Sequence, residues 1–120
     1  MQPESGKVLD FERIEEATGG DQEFMKELLD LYMEDAKERI SELEDAARAG
    51  DSEELAKCAH KLKGSSANVG ATGISMLAKT LEDKGHAGDT TGADELVRAA
   101  RKQLADVGAA FESFLSSTAS

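Results

Sequence analysis

The sequence predicts an all-α protein, an antiparallel up-and-down four-helix bundle with a short additional N-terminal helix. Alanine, leucine, glutamate and lysine are abundant, while the 120 residues include four Phe and one Tyr, a composition that favours helix over sheet. The single proline is Pro3, so no proline interrupts a helix after the first few residues. Four segments carry apolar residues at helical spacing, and amphipathic helices joined by short connections pack around one core.

The first elements are a short helix and a long one. Asp10 can cap the short helix, in which Phe11 and Ile14 lie three positions apart and should cover one end of the bundle. The first long helix follows residues 19–21 and ends at Gly50. Because acidic residues occupy its other side, it should bury one face only. Its apolar stripe consists of Met25, Leu29, Tyr32, Ala36, Ile40, Leu43 and Ala47.

Three more helices follow. Asp51 supplies a capping-box-like start for the second long helix, which should run to about Val69. The third should end near Gly85, which would place His86 in or beside a glycine-rich loop. The last should begin near Thr91. The apolar faces of these last two helices are Ile74, Leu77, Ala78 and Leu81, and then Leu96, Val97, Ala100, Leu104, Val107, Phe111, Phe114 and Leu115.

The length and composition predict one domain over residues 1–120, with a core over about 9–115 and flexible ends at 1–8 and 116–120. A net charge of -11 disfavours nucleic acid and anionic membranes as partners. No apolar run reaches the roughly 18 residues of a membrane span, and the polar start does not resemble a secretory signal. The single cysteine, Cys58, cannot form an internal disulfide. We therefore expect a cytoplasmic protein, and we also expect it to be a monomer.

The second long helix differs from the others on its outer face. At about 100° per residue, its core-facing residues cluster near 200° from His60, so His60 points away from the core. Residues 55–79 contain no acid, although the chain has 25 acidic residues. By the same count, the neighbours of His60 on the outer face are small or basic: Ala56, Lys57, Lys63, Gly64, Ala67, Asn68 and Ala71.

These surroundings suit a phosphoryl carrier. A neutral imidazole is a competent nucleophile, and nearby lysines should favour the neutral form of His60. Lys57 and Lys63 would stabilise the negative charge that phosphorylation adds, whereas Lys61 projects to the side and suits a solubilising role. Gly64 costs an exposed helix about 1 kcal/mol relative to alanine. We interpret it as leaving room for another protein to approach the imidazole.

Three polar residues of this helix have simpler interpretations. Cys58 lies about 160° from His60 on the helix, so it cannot form a catalytic pair with that imidazole and should be a small core-facing residue. Ser65 and Ser66 lean toward the core, where hydroxyl groups commonly bond back to the backbone.

The stretch AHKLKGSSANVGA at residues 59–71 closely resembles the signature of histidine-containing phosphotransfer (HPt) domains of two-component phosphorelays. Similarity extends over roughly residues 9–115. The resemblance implies a four-helix bundle whose exposed histidine accepts phosphate from an aspartyl-phosphate on a receiver domain and transfers it to another receiver. It implies that His60 is the phosphoacceptor, that Lys63 supports the phosphate and that Gly64 leaves room for the receiver.

The resemblance also implies partners. These are receiver domains of response regulators and a hybrid sensor histidine kinase, which would dock around His60 on Ala56, Lys57, Ala67, Asn68 and Ala71. A domain of this kind has no autokinase activity and binds no cofactor, since the receiver supplies Mg²⁺. In agreement, the sequence has no phosphate-cradling glycine loop.

Three other function classes stay open. A non-catalytic adaptor could use the same surface to bind receiver or kinase domains. A serine-modified carrier protein could use Ser52 at a helix start, although Glu53 stands where a leucine is expected. A di-metal bundle enzyme needs repeated Glu-x-x-His pairs, and Asp83 with His86 comes nearest to that spacing.

Overall fold

A computed structural model describes residues 9–118, and the surroundings of side chains through residue 116. This part of the chain contains five helices and no strand. The helices are α1 Phe11–Thr18, α2 Gln22–Ala49, α3 Ser52–Asn68, α4 Thr72–His86 and α5 Ala93–Thr118. None of them combines the length and apolar character needed to cross a lipid bilayer.

The four long helices form the predicted bundle. Consecutive helices pack against each other, and α5 closes the ring by packing on α2. The connections between them are two to six residues long, so neighbouring helices run antiparallel. The predicted stripes meet in one core, and its largest fully buried side chains are Ile14, Met25, Leu29, Ile40, Leu43, Leu55, Leu62, Ile74, Leu81, Val69, Val97 and Val107.

Aspartate caps set the beginnings of the first three helices. The side chains of Asp10, Asp21 and Asp51 each accept hydrogen bonds from backbone N–H groups in the following turn. Such a cap is worth about 1 kcal/mol. At the other end of α2, Gly50 takes a left-handed conformation with a φ of 67°, a backbone shape that glycine adopts without strain.

Helix α1 covers one end of the bundle, as predicted. The Phe11 ring stacks on Phe114 of α5 with 4.3 Å between centroids, and Ile14 is fully buried. The Asp10 N–H also donates to the Gly70 carbonyl at 2.9 Å. Gly70 has a φ of 75°, and a Cβ there would lie 2.6 Å from the Asp10 Cβ. The contact therefore requires glycine at position 70.

The predicted end of α4 near Gly85 is confirmed to within one residue. Helix α4 continues through His86, and Gly85 is buried within it. A Cβ on Gly85 would lie 2.6 Å from the Ser52 carbonyl oxygen, so the glycine allows α4 to touch α3. Gly88, with a φ of 71°, makes the turn instead.

The other boundaries differ by a few residues. Helix α3 ends at Asn68 rather than Val69, and α5 begins at Ala93 rather than near Thr91. At the C-terminal end α5 continues to Thr118, where flexibility was predicted from residue 116. The predicted flexibility of residues 1–8 and 119–120 falls outside the described residues. The single domain over residues 1–120 remains a prediction.

Candidate functional site

The His60 side chain lies on the outside of α3 and is held by a carboxylate from α4. Its Nδ1 is 2.8 Å from Oε2 of Glu82. The imidazole is 67 % exposed, whereas the Glu82 side chain is only 12 % exposed. The geometry therefore joins an exposed imidazole to a nearly buried anion.

The same carboxylate also binds Lys63, one turn beyond His60 on α3. Lys63 Nζ donates to Glu82 Oε1 at 2.7 Å. That hydrogen bond and the one from His60 outweigh burial and lower the pKa of Glu82 from 4.5 to about 2. An ionised carboxylate only accepts hydrogen bonds, so the proton of a neutral His60 lies on Nδ1 and the lone pair on Nε2. Nε2 has no hydrogen-bond partner among the described residues.

Close packing of α3 and α4 brings Glu82 to His60. Gly85 lies one turn after Glu82 and Ala56 one turn before His60. A Cβ on Gly85 would be 2.7 Å from the Ala56 backbone nitrogen. With a glycine facing an alanine, the helices approach until Glu82 is almost shielded from water, yet still reaches both His60 and Lys63.

A shallow, open cavity of about 550 Å³ lies beside His60 between the two helices. His86 faces it with Nε2 3.6 Å from Glu82 Oε2. Lys57 Nζ lies 3.9 Å from Glu54 Oε1. Lys61 has no ion-pair partner in the described part of the chain. The lining residues are Glu53, Ala56, Lys57, His60, Lys61, Glu82, Gly85 and His86.

The structure agrees with the predicted open surface on the other side of His60. Gly64 is exposed, and a Cβ added there would meet no atom within 4 Å. Ala67 and Asn68, one turn further on, are also exposed. An approaching protein would therefore meet little steric hindrance along this part of α3.

Two predicted members of that surface are buried instead. Ala56 is covered by α4 because Gly85 lets the helices touch. Ala71 is fully buried because α3 ends at Asn68 and Gly70 turns the chain. Ala71 was placed beside His60 by assuming a constant rotation per residue, and this rotation does not continue beyond the end of the helix. The prediction that Ala56 and Ala71 expose their methyl groups beside His60 is therefore wrong.

The surroundings of His60 nevertheless include an acid. Residues 55–79 contain no acid, but Glu82 reaches the site from the neighbouring helix. Lys63 is consequently not a free cation, because its ammonium group pairs with Glu82. The sequence does contain a signal for Glu82. Glu82 lies four positions after Ala78 and directly after Leu81, which places it on the buried side of α4.

The remaining polar residues of α3 support its packing. Ser65 Oγ donates to the Leu62 carbonyl at 3.3 Å, as predicted, whereas Ser66 Oγ bonds the Tyr32 hydroxyl of α2 at 2.7 Å. Cys58 is buried, as predicted, and burial raises its pKa to about 12. Within residues 9–118, no three His, Cys, Asp or Glu side chains form a group that could hold a metal ion.

Comparisons with known proteins give a consistent result. A family model described as the Hpt domain matches residues 27–112. The structure is similar to histidine-containing phosphotransfer protein B from Pseudomonas aeruginosa PAO1, with a TM-score of 0.82 and 29 % identity over 89 % of this chain and 93 % of that one. It shares its fold with the HPT domain of a sensor hybrid histidine kinase from Shewanella, with a TM-score of 0.73 and 17 % identity over 92 % and 95 %. No curated protein sequence matches significantly.

Proposed function

The chain belongs to the Hpt domain family, which has a histidine phosphotransfer role in phosphorelays, and on that premise we propose a specific reaction. His60 accepts a phosphoryl group from the aspartyl-phosphate of one receiver domain and transfers it to another receiver domain. The observation that supports this most directly is the geometry of the imidazole. Its Nδ1 is held by a nearly buried carboxylate, while the ring is 67 % exposed.

The proposed reaction uses this arrangement directly. The Nε2 lone pair attacks the phosphorus atom, the bond between phosphorus and the aspartyl oxygen breaks, and the aspartate leaves as a carboxylate with the bonding electrons. The ring becomes a phosphoimidazolium that keeps its Nδ1–H. Its positive charge faces the Glu82 carboxylate 2.8 Å away, which stabilises the charge that develops during transfer. The reverse attack by a second receiver's aspartate restores neutral His60.

The charges beside His60 divide into two groups in this proposal. Lys63 is paired with Glu82, so we assign it to positioning: it holds the carboxylate that holds His60. Lys57 and Lys61 line the cavity beside His60 and supply positive charge for the incoming phosphoryl group. Gly64 provides access. Mg²⁺ belongs to the receiver, and this chain contributes no ligand to it.

The partners follow from the same chemistry. Receiver domains of response regulators donate or accept the phosphoryl group, and a hybrid sensor histidine kinase is the upstream source. They dock over Gly64, Ala67 and Asn68, with Lys57 at the edge. We propose that the protein acts as a cytoplasmic monomer without autokinase activity. The absence of phosphorylation after incubation with ATP alone is the expected result.

The central experiment mixes the protein with a receiver domain carrying labelled aspartyl-phosphate. We expect label on this chain that is lost in acid and retained in alkali, and none on His60→Gln. Labelling of His60→Gln at the wild-type rate would contradict the assignment. If His60→Gln instead preserved signalling in cells, the protein would be a non-catalytic adaptor.

A second experiment tests access to the imidazole. Gly64→Gln should slow transfer by about tenfold or more by obstructing the receiver, because the glycine faces open space. Ala109→Gln, on the exposed surface of α5, is the matched control and should transfer at the wild-type rate. Equal rates for the two variants would refute the access argument.

A third experiment separates the lysines. Lys63→Ala should slow transfer by about tenfold, the lower end of the effect seen when the partner that orients a metal-bound histidine is removed, because Glu82 would be held less firmly against His60. Lys61→Ala should have a smaller effect, since no residue of the site depends on Lys61 for its position. The reverse order would contradict the positioning role of Lys63.

A further inference from the structure

We propose that a second cavity, between α1, α3 and α4, selects which receiver domains dock on this protein. It binds receivers that present an apolar side chain beside a carboxylate: Met76 contacts the apolar side chain and Arg13 pairs with the carboxylate. The proposal rests on the proposed function of His60, because it concerns the partners of that reaction. The cavity has a volume of about 280 Å³ and is open to solvent.

The cavity continues the open surface beside His60. Ala67 lines the cavity and is exposed one turn after Gly64 on α3. It lies seven residues after His60, which is about 10 Å along the helix. A protein–protein interface of standard size covers about 800 Å² on each partner, a patch about 30 Å across. A receiver that docks over Gly64 with its aspartate at His60 therefore extends over the cavity.

Met76 gives the edge of the cavity its apolar character. Its side chain is 66 % exposed, whereas Ile74 and Ala78, two positions before and after it, are fully buried. Met76 therefore points outward from α4. A single exposed apolar side chain is common on protein surfaces, but this one borders a cavity that the Ala67 methyl group also lines. Because a methionine side chain adapts its shape to its neighbours, Met76 can pack against an apolar group placed in the cavity.

Arg13 gives the same cavity a positive charge. It is exposed on the first turn of α1, lines the cavity and has no ion-pair partner among residues 9–116, although the chain has a net charge of -11. The hydrogen bond from the Asp10 N–H to the Gly70 carbonyl holds the beginning of α1 beside the end of α3. A guanidinium group can bind a carboxylate through two parallel hydrogen bonds, so Arg13 favours an acidic partner.

The other polar groups of the cavity are engaged within the protein. The Asp10 carboxylate caps α1 by accepting hydrogen bonds from two backbone N–H groups, and the positive end of the helix dipole offsets its charge. Ser75 Oγ donates to the Lys63 carbonyl at 3.2 Å. Arg13 is therefore the charged group at this cavity that a partner can pair with.

Charge reversal at Arg13 tests the ionic part of the proposal. The probe is the receiver domain from the same genome that binds the wild type most tightly, and calorimetric titration measures its Kd. Arg13→Glu should raise the Kd about tenfold at low ionic strength and much less in about 0.5 M salt, where exposed charges are screened. The variant should fold normally, since an acid suits the first turn of a helix.

The matched control is Lys37→Glu, which makes the same charge change elsewhere. Lys37 is exposed on α2 and also has no ion-pair partner among residues 9–116. It lies one turn after Met33, which faces Gly108 of α5, so it is on the side of α2 away from α3. We expect the Kd of Lys37→Glu to stay within about twofold of the wild type, as is typical of a charge outside an interface.

Substitution of Met76 tests the apolar part. Met76→Ser should raise the Kd about fivefold at both salt concentrations, because partial burial of a methionine side chain is lost, and Met76→Leu should restore most of the affinity. Once the receiver is bound, the rate of transfer should be unchanged in all these variants, because neither Arg13 nor Met76 contacts His60.

Equal Kd values for Arg13→Glu and Lys37→Glu would overturn the proposal, as would an Arg13→Glu effect that high salt does not reduce. Failure of every receiver to bind the wild type would also overturn it. Binding and chemistry are measured separately. If a receiver bound the wild type more tightly than Arg13→Glu but transferred no phosphoryl group to His60, the proposed function would fail and the docking proposal would stand.

Discussion

The substitution Glu82→Gln tests the energetic contribution of the carboxylate at the centre of the site. Glutamine has nearly the same shape but no charge. The pKa of Glu82 falls from 4.5 to about 2, mainly through the hydrogen bond from Lys63, which corresponds to at most about 3 kcal/mol of folding free energy. Because the partners are partly exposed, 33 % for Lys63 and 67 % for His60, solvent screening reduces the expected contribution to about 1–2 kcal/mol.

The sign of the pH dependence follows from the lowered pKa. The unfolded chain protonates Glu82 near 4.5 and the folded chain near 2, so the stabilisation is fully present above about pH 4.5. It is lost progressively as the pH falls toward 2. The difference in unfolding free energy between the wild type and Glu82→Gln should therefore be about 1–2 kcal/mol at pH 7 and small near pH 2.

Urea denaturation followed by circular dichroism at pH 7, 4.5 and 3 measures this difference. The control is Asp83→Asn, the next residue, whose carboxylate is exposed and pairs with Lys79 at 3.2 Å. An exposed pair of that kind should contribute no more than about 0.5 kcal/mol. If Glu82→Gln cost no more than Asp83→Asn at pH 7, or if its cost were unchanged at pH 3, the assigned role of the ion pairs would be wrong.

Three further predictions concern packing. Gly85→Ala should destabilise the protein by about 1–3 kcal/mol, because the added Cβ meets the α3 backbone. Gly64→Ala, in open space, should instead stabilise the protein by up to about 1 kcal/mol. Urea denaturation measures both variants, and equal effects would contradict the close contact at Gly85. Tyr32→Phe and Ser66→Ala should each cost about 1–2 kcal/mol by leaving a buried partner unsatisfied, and the double variant should cost less than the sum. Cys58, whose pKa burial raises to about 12, should resist a thiol reagent at pH 8 until urea unfolds the chain, and rapid modification of the folded protein would refute this.

Much of the fold follows from local signals that physical reasoning can interpret. The apolar stripe of α2 predicts which side is buried, and Asp51 after Gly50 marks where one helix ends and the next begins. Those signals act within a few residues of the chain. The direction of His60 could be predicted for the same reason, since it depends on its angle from Leu55 and Leu62 on a single helix.

Which residues form the site depends on contacts between helices, and the spacing of residues along a single helix does not predict those contacts. Glu82 reaches His60 only because α3 and α4 approach closely at Gly85 and Ala56. Periodicity predicted that α4 packs in the bundle but not which of its polar residues would face α3. The same contact buries Ala56, whereas Ala71 was misplaced because a helical angle was extended beyond the last turn of α3.

The stack of Phe11 on Phe114 has a mechanical consequence. It holds the beginning of α1 against the end of α5, so the two ends of the described chain leave the bundle side by side. His60 lies ten residues before Gly70, about 15 Å along α3 from that end. A force applied to both ends would break the aromatic contact first and then separate α1 and α5 from the bundle. The α3–α4 pair around Glu82 would come under tension only afterwards.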